Sequence, residues 1–255
     1  SDSIVRGKSK SWIDVYVLNK LGQIEDGKPV YEMFRKDVHV AKGDIAILPD
    51  APIYVGIDFG LTPACVFGMK IRSRWVILDE LVAEDMGIVR FSDIMKQKMA
   101  EYLPRQFIVF GDPAGDHRVQ TDESTPFQIL RGRGINARPA PSNDVALRLE
   151  SVNATLSRMV DGESGILLDP KCINLIKGFD GGYHYRRMQV SGERYDEKPN
   201  KNRFSHIHDA LQYMLLGAGE GRNLTIGNKV NKPVVARKNF NVFELKPKSI
   251  YDRRR

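Results

Sequence analysis

The sequence predicts an α/β fold in which one mixed sheet, an antiparallel meander extended by parallel strands, is flanked by helices. Three apolar runs begin at Ile53, Ala64 and Trp75, and only short turns separate them, as in a meander. A helical run that ends at Pro104 follows, and a short, fully apolar strand comes next, over residues 107–110. A strand that arrives after a helix indicates parallel addition to the meander.

The remaining elements follow from local patterns. Residues 88–102 carry apolar side chains at helical spacing. Asp144 is a plausible N-cap for a long helix that glycine 162 stops. The other predicted elements are short helices over 126–131 and 171–177, the long helix over 145–160, short strands within 135–141 and 165–170, a hairpin closed at 191–192, and a last helix over 206–216.

Composition divides the chain into three parts. Residues 1–50 are predicted to be a leader, because they are turn-rich and of mixed charge and two prolines close them. Residues 51–219 form the body. Residues 220–255 hold five Lys and five Arg against two Glu and one Asp, which accounts for the whole net charge of +7. The body therefore does not coat DNA with uniform positive charge, and the tail is expected to be flexible or ordered by a partner.

The apolar runs and the cysteines indicate the compartment. No apolar run approaches the length of a membrane span, so we expect no membrane association. Cys65 and Cys172 lie far apart and fit no metal or redox spacing. The sequence therefore predicts a reducing, intracellular setting with both thiols buried.

Three aspartates recur in matching positions. Asp58 ends the first strand, Asp112 follows the strand over 107–110, and Asp209 lies in the first turn of the last helix. If the two strands are neighbours and the helix packs on their sheet, the three carboxylates meet. Such a cluster is repulsive unless cations bind, and hard oxygen ligands select Mg²⁺ or Mn²⁺. Two such ions, roughly 4 Å apart, suit phosphodiester hydrolysis.

His206 precedes Asp209 by three residues, so both side chains lie on one helix face. It is a candidate metal ligand or a residue that positions the attacking water. A simple polar contact at a helix start is the alternative. His208 points elsewhere on the same helix.

Three sequence motifs surround these acidic residues. The first strand ends in VGIDFG, the later apolar strand ends in VFGDPAG, and the last helix carries NRFSHIHDALQYML. In this order they resemble the nuclease domain of the large terminase subunit of tailed bacteriophages. The most specific piece is the Ser-His-x-x-Asp-Ala-Leu-x-Tyr pattern. The leader, from WIDVYVLNKLG to VHVA, resembles the stretch that joins the terminase motor to its nuclease, and the resemblance covers roughly residues 12–217.

The resemblance implies a ribonuclease H-like fold and a metal-dependent endonuclease. It implies cutting of concatemeric double-stranded viral DNA during genome packaging in the host cytoplasm, with the terminase motor domain, the portal and the small terminase subunit as partners. Asp58, Asp112 and Asp209 match the family's acidic positions. The related Holliday-junction resolvases carry a fourth ligand one turn before the last Asp, where this chain has His206. No G-x-x-x-x-G-K-[ST] occurs, so the chain carries no P-loop ATPase motif.

Basic residues near these motifs are candidates for contacts with DNA phosphates, because such a cutter needs little base reading. The segment that leads into the Asp209 helix is favoured, although each residue alone is also typical of a solvated surface. The candidates are Arg72, Arg74, Arg186, Arg187, Lys198, Lys201 and Arg203.

Other functions fit parts of the sequence. A Holliday-junction resolvase or a transposase-like nuclease has the same fold, and a non-catalytic DNA-binding module could retain it. The motif GIDFGLTP also resembles the first phosphate loop of the actin and sugar-kinase superfamily, and Asp180 begins an Asp-Gly-Gly. That second motif should continue with small residues, but here it runs into Tyr183 and His184.

Overall fold

The structure is a computed structural model that describes residues 27–116, 124–189 and 192–221. The first half of the predicted leader, all but the first two residues of the predicted tail and one side of the predicted hairpin turn lie outside these ranges.

The described secondary structure contains both single strands and runs of consecutive strands, separated by helices. The strands are β1 (Gly27–Pro29), β2 (Ile53–Asp58), β3 (Ala64–Ile71), β4 (Arg74–Val82), β5 (Phe107–Gly111), β6 (Ala137–Pro139), β7 (Met159–Val160), β8 (Glu163–Ser164), β9 (Ile166–Leu168) and β10 (His184–Arg186). The helices are α1 (Lys36–His39), α2 (Ile88–Ala100), α3 (Pro126–Gly132), α4 (Val145–Ser157), α5 (Ile173–Lys177) and α6 (Ser205–Gly217). No described helix has both the length and the apolar character needed to cross a membrane.

The central sheet combines antiparallel and parallel pairing. Within the described residues, six strands lie in the order β6–β5–β2–β3–β4–β9. Strands β2, β3 and β4 form the antiparallel meander, β5 and β6 add in parallel beside β2, and β9 adds in parallel beside β4. The predicted mixed sheet is confirmed, and with it the ribonuclease H-like fold.

The two faces of β2 bury different cores, because side chains alternate along a strand. Ile53, Val55 and Ile57 belong to the core that also contains residues of α2 and α3. The opposite face lies against α6. A side chain at Gly56 would place its Cβ 2.0 Å from the carbonyl oxygen of Ala210, so this glycine allows α6 to approach the sheet closely.

The described part of the leader packs on both sides of the sheet: residues 30–40 contact the core that contains α6, and Ile45 and Ile47 contact the core of α2 and α3. Tyr31 and Phe34 are buried in the core that contains α6, and the Tyr31 hydroxyl accepts a hydrogen bond from Gln212 at 3.0 Å. Strand β1 pairs with β10, and Val40 bridges Leu168. The predicted boundary at residue 50 stays a prediction, but the residues just before it are part of the packed structure.

His208 lies inside this core. Its ring stacks on Tyr183 at a centroid distance of 5.0 Å and meets Phe179 edge-on at 4.6 Å. Burial lowers the pKa of His208 to about 3, so the imidazole is neutral at ordinary pH. It thus points away from the neighbouring acidic residues, as its position on the helix predicts.

Candidate active site

Asp58 and Asp112 lie side by side at the carboxyl ends of two parallel strands. Asp58 is the last residue of β2, and Asp112 directly follows β5. Ile57 pairs with Gly111, and the Asp112 N–H donates to the Ile57 carbonyl at 3.1 Å, so the two aspartates are the next pair in register. Residues paired in parallel strands point to the same face, which here is the face that α6 covers.

Asp209 reaches these strand ends from α6. It lies one turn into the helix, next to the Ala210 carbonyl that touches β2 at Gly56. Both Asp58 (5% exposed) and Asp209 (1% exposed) are buried. Burial raises the pKa of Asp58 to about 6, with the charges of Asp209 and Asp112 contributing to the rise and the hydrogen bond from His206 opposing it. The three carboxylates therefore share one electrostatic environment.

His206 bonds directly to the first of these carboxylates. Its Nδ1 lies 2.9 Å from Asp58 Oδ2. The hydrogen bond to Asp58 raises the pKa of His206, with the Asp58 charge adding to it. His206 therefore sits within the acidic group, one helical turn before Asp209.

Two cations balance the buried charge of Asp209. The Lys201 ammonium donates to Oδ2, and Arg148 Nη1 lies 3.2 Å from Oδ1. The Arg148 contact lacks the alignment of a hydrogen bond, so Oδ1 has no hydrogen-bond partner among the described residues. Buried carboxylates need such compensation, since an isolated buried charge is costly. Carboxylate oxygens are the ligands that a hard divalent cation prefers, so the oxygen of Asp209 that Lys201 contacts is a candidate ligand.

The acidic residues are neighbours, but their side chains do not surround a common centre. In the described ranges, no group of three or more His, Cys, Asp or Glu side chains is already arranged to hold a metal ion. The contacts explain this, because Lys201 holds Asp209, His206 holds Asp58, and Asp112 Oδ1 accepts the Ala114 N–H at 2.8 Å. A metal ion at these carboxylates would have to replace Lys201 on Asp209.

A cavity opens beside His206. Its volume is about 480 Å³. Its walls carry both charge signs and two neutral polar groups, from Thr62, Val82, Glu84, Asp85, Asn174, Arg203 and His206. The cavity gives the imidazole a route to solvent on the side away from the core.

The structure separates the candidate DNA-contact residues into two groups. Arg72 and Arg74 lie at the far end of β3 and β4, about 25 Å along the strand from Asp58. Arg72 pairs with Asp161 at 3.1 Å, and Arg74 pairs with Glu163.

The second group leads towards α6. Arg186 lies on β10 and donates to Asn200 at 2.9 Å, and Arg187 bridges Tyr195. Lys198 is exposed. Lys201 contacts Asp209, and Arg203 lies over the Phe204 ring and lines the cavity. Lys201 and Arg203 are therefore the candidates that the structure brings to the acidic residues.

Sequence reasoning missed Arg148. It lies on α4 and shares a buried face with Ser151, Val152 and Thr155. The spacing of three, four and seven residues could have identified a charged side chain on the core side of this helix. A positive residue on a buried face calls for a negative partner, which here is Asp209.

Comparison with known proteins identifies solved structures with a similar fold. No protein-family model matches the sequence, and no curated protein matches it. Among solved structures, the large terminase of a thermophilic bacteriophage in complex with ATP-gamma-S is similar, with a TM-score of 0.59 and 20% identity over 82% of this chain and 52% of that one. The P22 large terminase nuclease domain is also similar, with a TM-score of 0.52 and 10% identity over 72% of this chain and 89% of that one.

These matches concern the fold. The chain spans about half the length of the thermophilic bacteriophage's large terminase, 52%, and most of the P22 nuclease domain, 89%. The resemblance given by the three sequence motifs is thus confirmed at the level of structure: this chain has the fold of the nuclease domain of large terminases.

Proposed function

We propose that this chain is a metal-dependent endonuclease that cuts double-stranded DNA. The proposal is supported by the strand register that sets Asp58 beside Asp112 at one edge of a ribonuclease H-like sheet, and by the charge of Asp209, which acts on Asp58 from α6. Three neighbouring carboxylates, two of them buried, are unfavourable in a structural role, because each raises the cost of ionising the others. Binding of divalent cations offsets that cost.

Asp58, Asp112 and Asp209 would hold two ions of Mg²⁺ or Mn²⁺, with His206 as a further ligand or as the residue that orients the water. The ions would supply the activated water and stabilise the leaving oxygen of a phosphodiester. The charges of both Asp209 and Asp112 act on Asp58. It is therefore the residue we expect both ions to share.

The remaining side chains act on the proton and the substrate. His206 Nδ1 is held by Asp58, and the ring lines the cavity, so its other nitrogen can bind a water there. Lys201 and Arg203 stand at this edge of the sheet and would contact phosphates on either side of the cut. Such contacts position the backbone without reading bases.

The biological setting follows from the fold and the motifs together. We propose that the substrate is concatemeric viral DNA, cut during genome packaging in the host cytoplasm. A terminase motor domain, a portal and a small terminase subunit would be the partners. In this proposal residues 51–219 are the nuclease domain, residues 1–50 connect it to the motor, and residues 220–255 form a basic extension.

Plasmid cleavage tests the proposal. Supercoiled plasmid is incubated with the protein and Mn²⁺ or Mg²⁺, and nicked and linear products are measured over time. We expect cutting that EDTA abolishes and that Asp58→Asn or Asp209→Asn reduces at least about 100-fold. Glu163→Gln removes a carboxylate far from the site and serves as the matched control. Cutting that survives EDTA or both Asp substitutions would refute the metal site.

A second substrate separates the related nucleases. Under the same conditions, linear duplex and a synthetic four-way junction are compared. The proposal predicts that both are cut. Cleavage confined to the four-way junction would favour a resolvase, and binding of either substrate without cleavage would favour a DNA-binding module.

A further inference from the structure

Arg148 is a buried cation that reaches the acidic site from the protein interior. It is 5% exposed, and its Nη1 lies 3.2 Å from Asp209 Oδ1. It comes from α4, which packs beside α6 on the same face of the sheet. A buried guanidinium next to a candidate ligand needs an explanation, because charges are rarely buried unless they are paired.

A chain of polar contacts fixes this guanidinium. Nη1 donates a hydrogen bond to the Tyr213 hydroxyl at 3.0 Å, and that hydroxyl donates to Asn143 Oδ1 at 2.9 Å. The guanidinium carbon lies 5.0 Å from the centre of the Tyr213 ring. Tyr213 is one turn beyond Asp209 on α6, so both partners of Arg148 lie on one helix. The Tyr213 hydroxyl and ring therefore restrict the orientation of the Arg148 guanidinium.

The second cation that contacts Asp209 is exposed, whereas Arg148 is buried. Lys201 is 69% exposed at its side chain and reaches the other oxygen, Oδ2. That contact shows that Oδ2 is accessible from the solvent side. Arg148 thus forms a buried ion pair with the inner oxygen, while the exposed Lys201 contacts the outer one.

We propose that Arg148 is a positioning residue, which fixes the Asp209 carboxylate so that Oδ2 is presented to a divalent cation. This inference rests on the proposed metal site. It assigns no contact between Arg148 and the substrate. The Tyr213 hydroxyl and Asn143 contribute to this positioning, because Tyr213 accepts a hydrogen bond from the guanidinium and Asn143 accepts one from Tyr213.

The direction of the change in metal affinity distinguishes a positioning role of Arg148 from a purely electrostatic effect of its charge. A positive charge near a cation site repels the metal, so loss of Arg148 would tighten metal binding if only its charge mattered. Loss of a residue that orients a ligand weakens metal binding, by about tenfold or more. The two explanations predict opposite signs.

The experiment titrates Mn²⁺ into the wild-type chain, Arg148→Met and Tyr213→Phe, with calorimetric detection of binding and circular dichroism as the check of folding. We expect about tenfold weaker Mn²⁺ binding for Arg148→Met and a smaller loss, about threefold, for Tyr213→Phe. Tyr213→Phe keeps the ring and its packing, so it decides the matter if Arg148→Met does not fold. Binding that is unchanged or tighter in the folded variants would overturn the inference.

Asp209→Asn separates failure of this inference from failure of the proposed function. If the wild type binds Mn²⁺ and Asp209→Asn does not, the site stands, and only the behaviour of the Arg148 and Tyr213 variants decides the positioning role. If the wild type itself binds no Mn²⁺, both the proposed function and the inference are refuted.

Discussion

Substitution of Glu220 by Gln should destabilise the protein in a way that depends on pH. The carboxylate is 6% exposed at its side chain and is held by three donors. Trp75 Nε1 and Lys70 Nζ each lie 2.9 Å from Oε1, and Arg158 bonds to Oε2. These contacts tie the chain just after α6 to strands β3 and β4 and to the end of α4.

The pKa of Glu220 gives the size of its contribution to the free energy of unfolding. Burial alone would raise the pKa of Glu220, but the hydrogen bonds from Arg158, Lys70 and Trp75 outweigh it and hold the pKa at about 2, against an ordinary value of 4.5. A lowered pKa in the folded state stabilises folding at pH values above the unfolded-state pKa. At about 1.4 kcal/mol per unit, the contribution at pH 7 is about 3 kcal/mol. It is lost as the pH falls from about 4.5 to about 2.

Urea unfolding at a series of pH values measures this contribution. The free energies of unfolding of wild type and Glu220→Gln should differ by about 3 kcal/mol at pH 7. The difference should shrink below pH 4.5 and vanish below pH 2, where the wild-type carboxyl also becomes neutral. Glu163→Gln, which breaks an exposed pair with Arg74, should change stability by less than about 1 kcal/mol. A Glu220→Gln effect that is absent at pH 7, or constant with pH, would refute the reasoning.

Two further substitutions test the packing of α6 and the role of Lys201. Gly56→Ala places a methyl group 2.0 Å from the Ala210 carbonyl oxygen and should lower the free energy of unfolding by about 2 kcal/mol or more, measured in urea; an unchanged midpoint would contradict the close approach of α6. Lys201→Met should tighten Mn²⁺ binding because it removes the cation that occupies Asp209, whereas Lys198→Met removes the same charge without an ion pair among the described residues. Equal effects of the two Lys substitutions in calorimetry would show that Lys201 acts only through its charge.

The sheet was predictable because its signals are local. The three apolar runs from Ile53 to Val82 and the strand at Phe107 identify their own pairing partners through short turns and a helical crossover. The meeting of Asp58 and Asp112 follows from that pairing. Spacing on one helix likewise places His206 beside Asp209. The catalytic roles of these residues stay predictions.

The ion pairs were not predictable, because they join residues far apart in the chain. Glu220 follows two glycines, so the sequence assigns it to the basic tail, yet its partners Lys70, Trp75 and Arg158 lie 62 to 150 residues earlier. The spacing along α4 places Arg148 on a buried face, but its partner Asp209 is identified only when α4 is seen to pack on α6. Tertiary packing decides such cases, and no local pattern specifies it.

The distribution of basic residues shows the same limit. Arg72 lies in a turn that is close to Asp58 in sequence, but the antiparallel path of β3 carries that turn to the opposite end of the sheet. Lys201 is far from Asp58 in sequence and close to the acidic site in the fold. Distance along the chain is therefore a poor guide to which cations can reach DNA at the site.

Anomalous X-ray diffraction from crystals soaked in Mn²⁺ would show directly whether divalent cations bind at the acidic residues. We expect two anomalous peaks, roughly 4 Å apart, with Asp58 bound to both, Asp112 and Asp209 each bound to at least one, and the Lys201 ammonium displaced from Asp209. Crystals at saturating Mn²⁺ with no peak at these three carboxylates, or with Lys201 still bound to Asp209 and metal only elsewhere, would contradict this expectation.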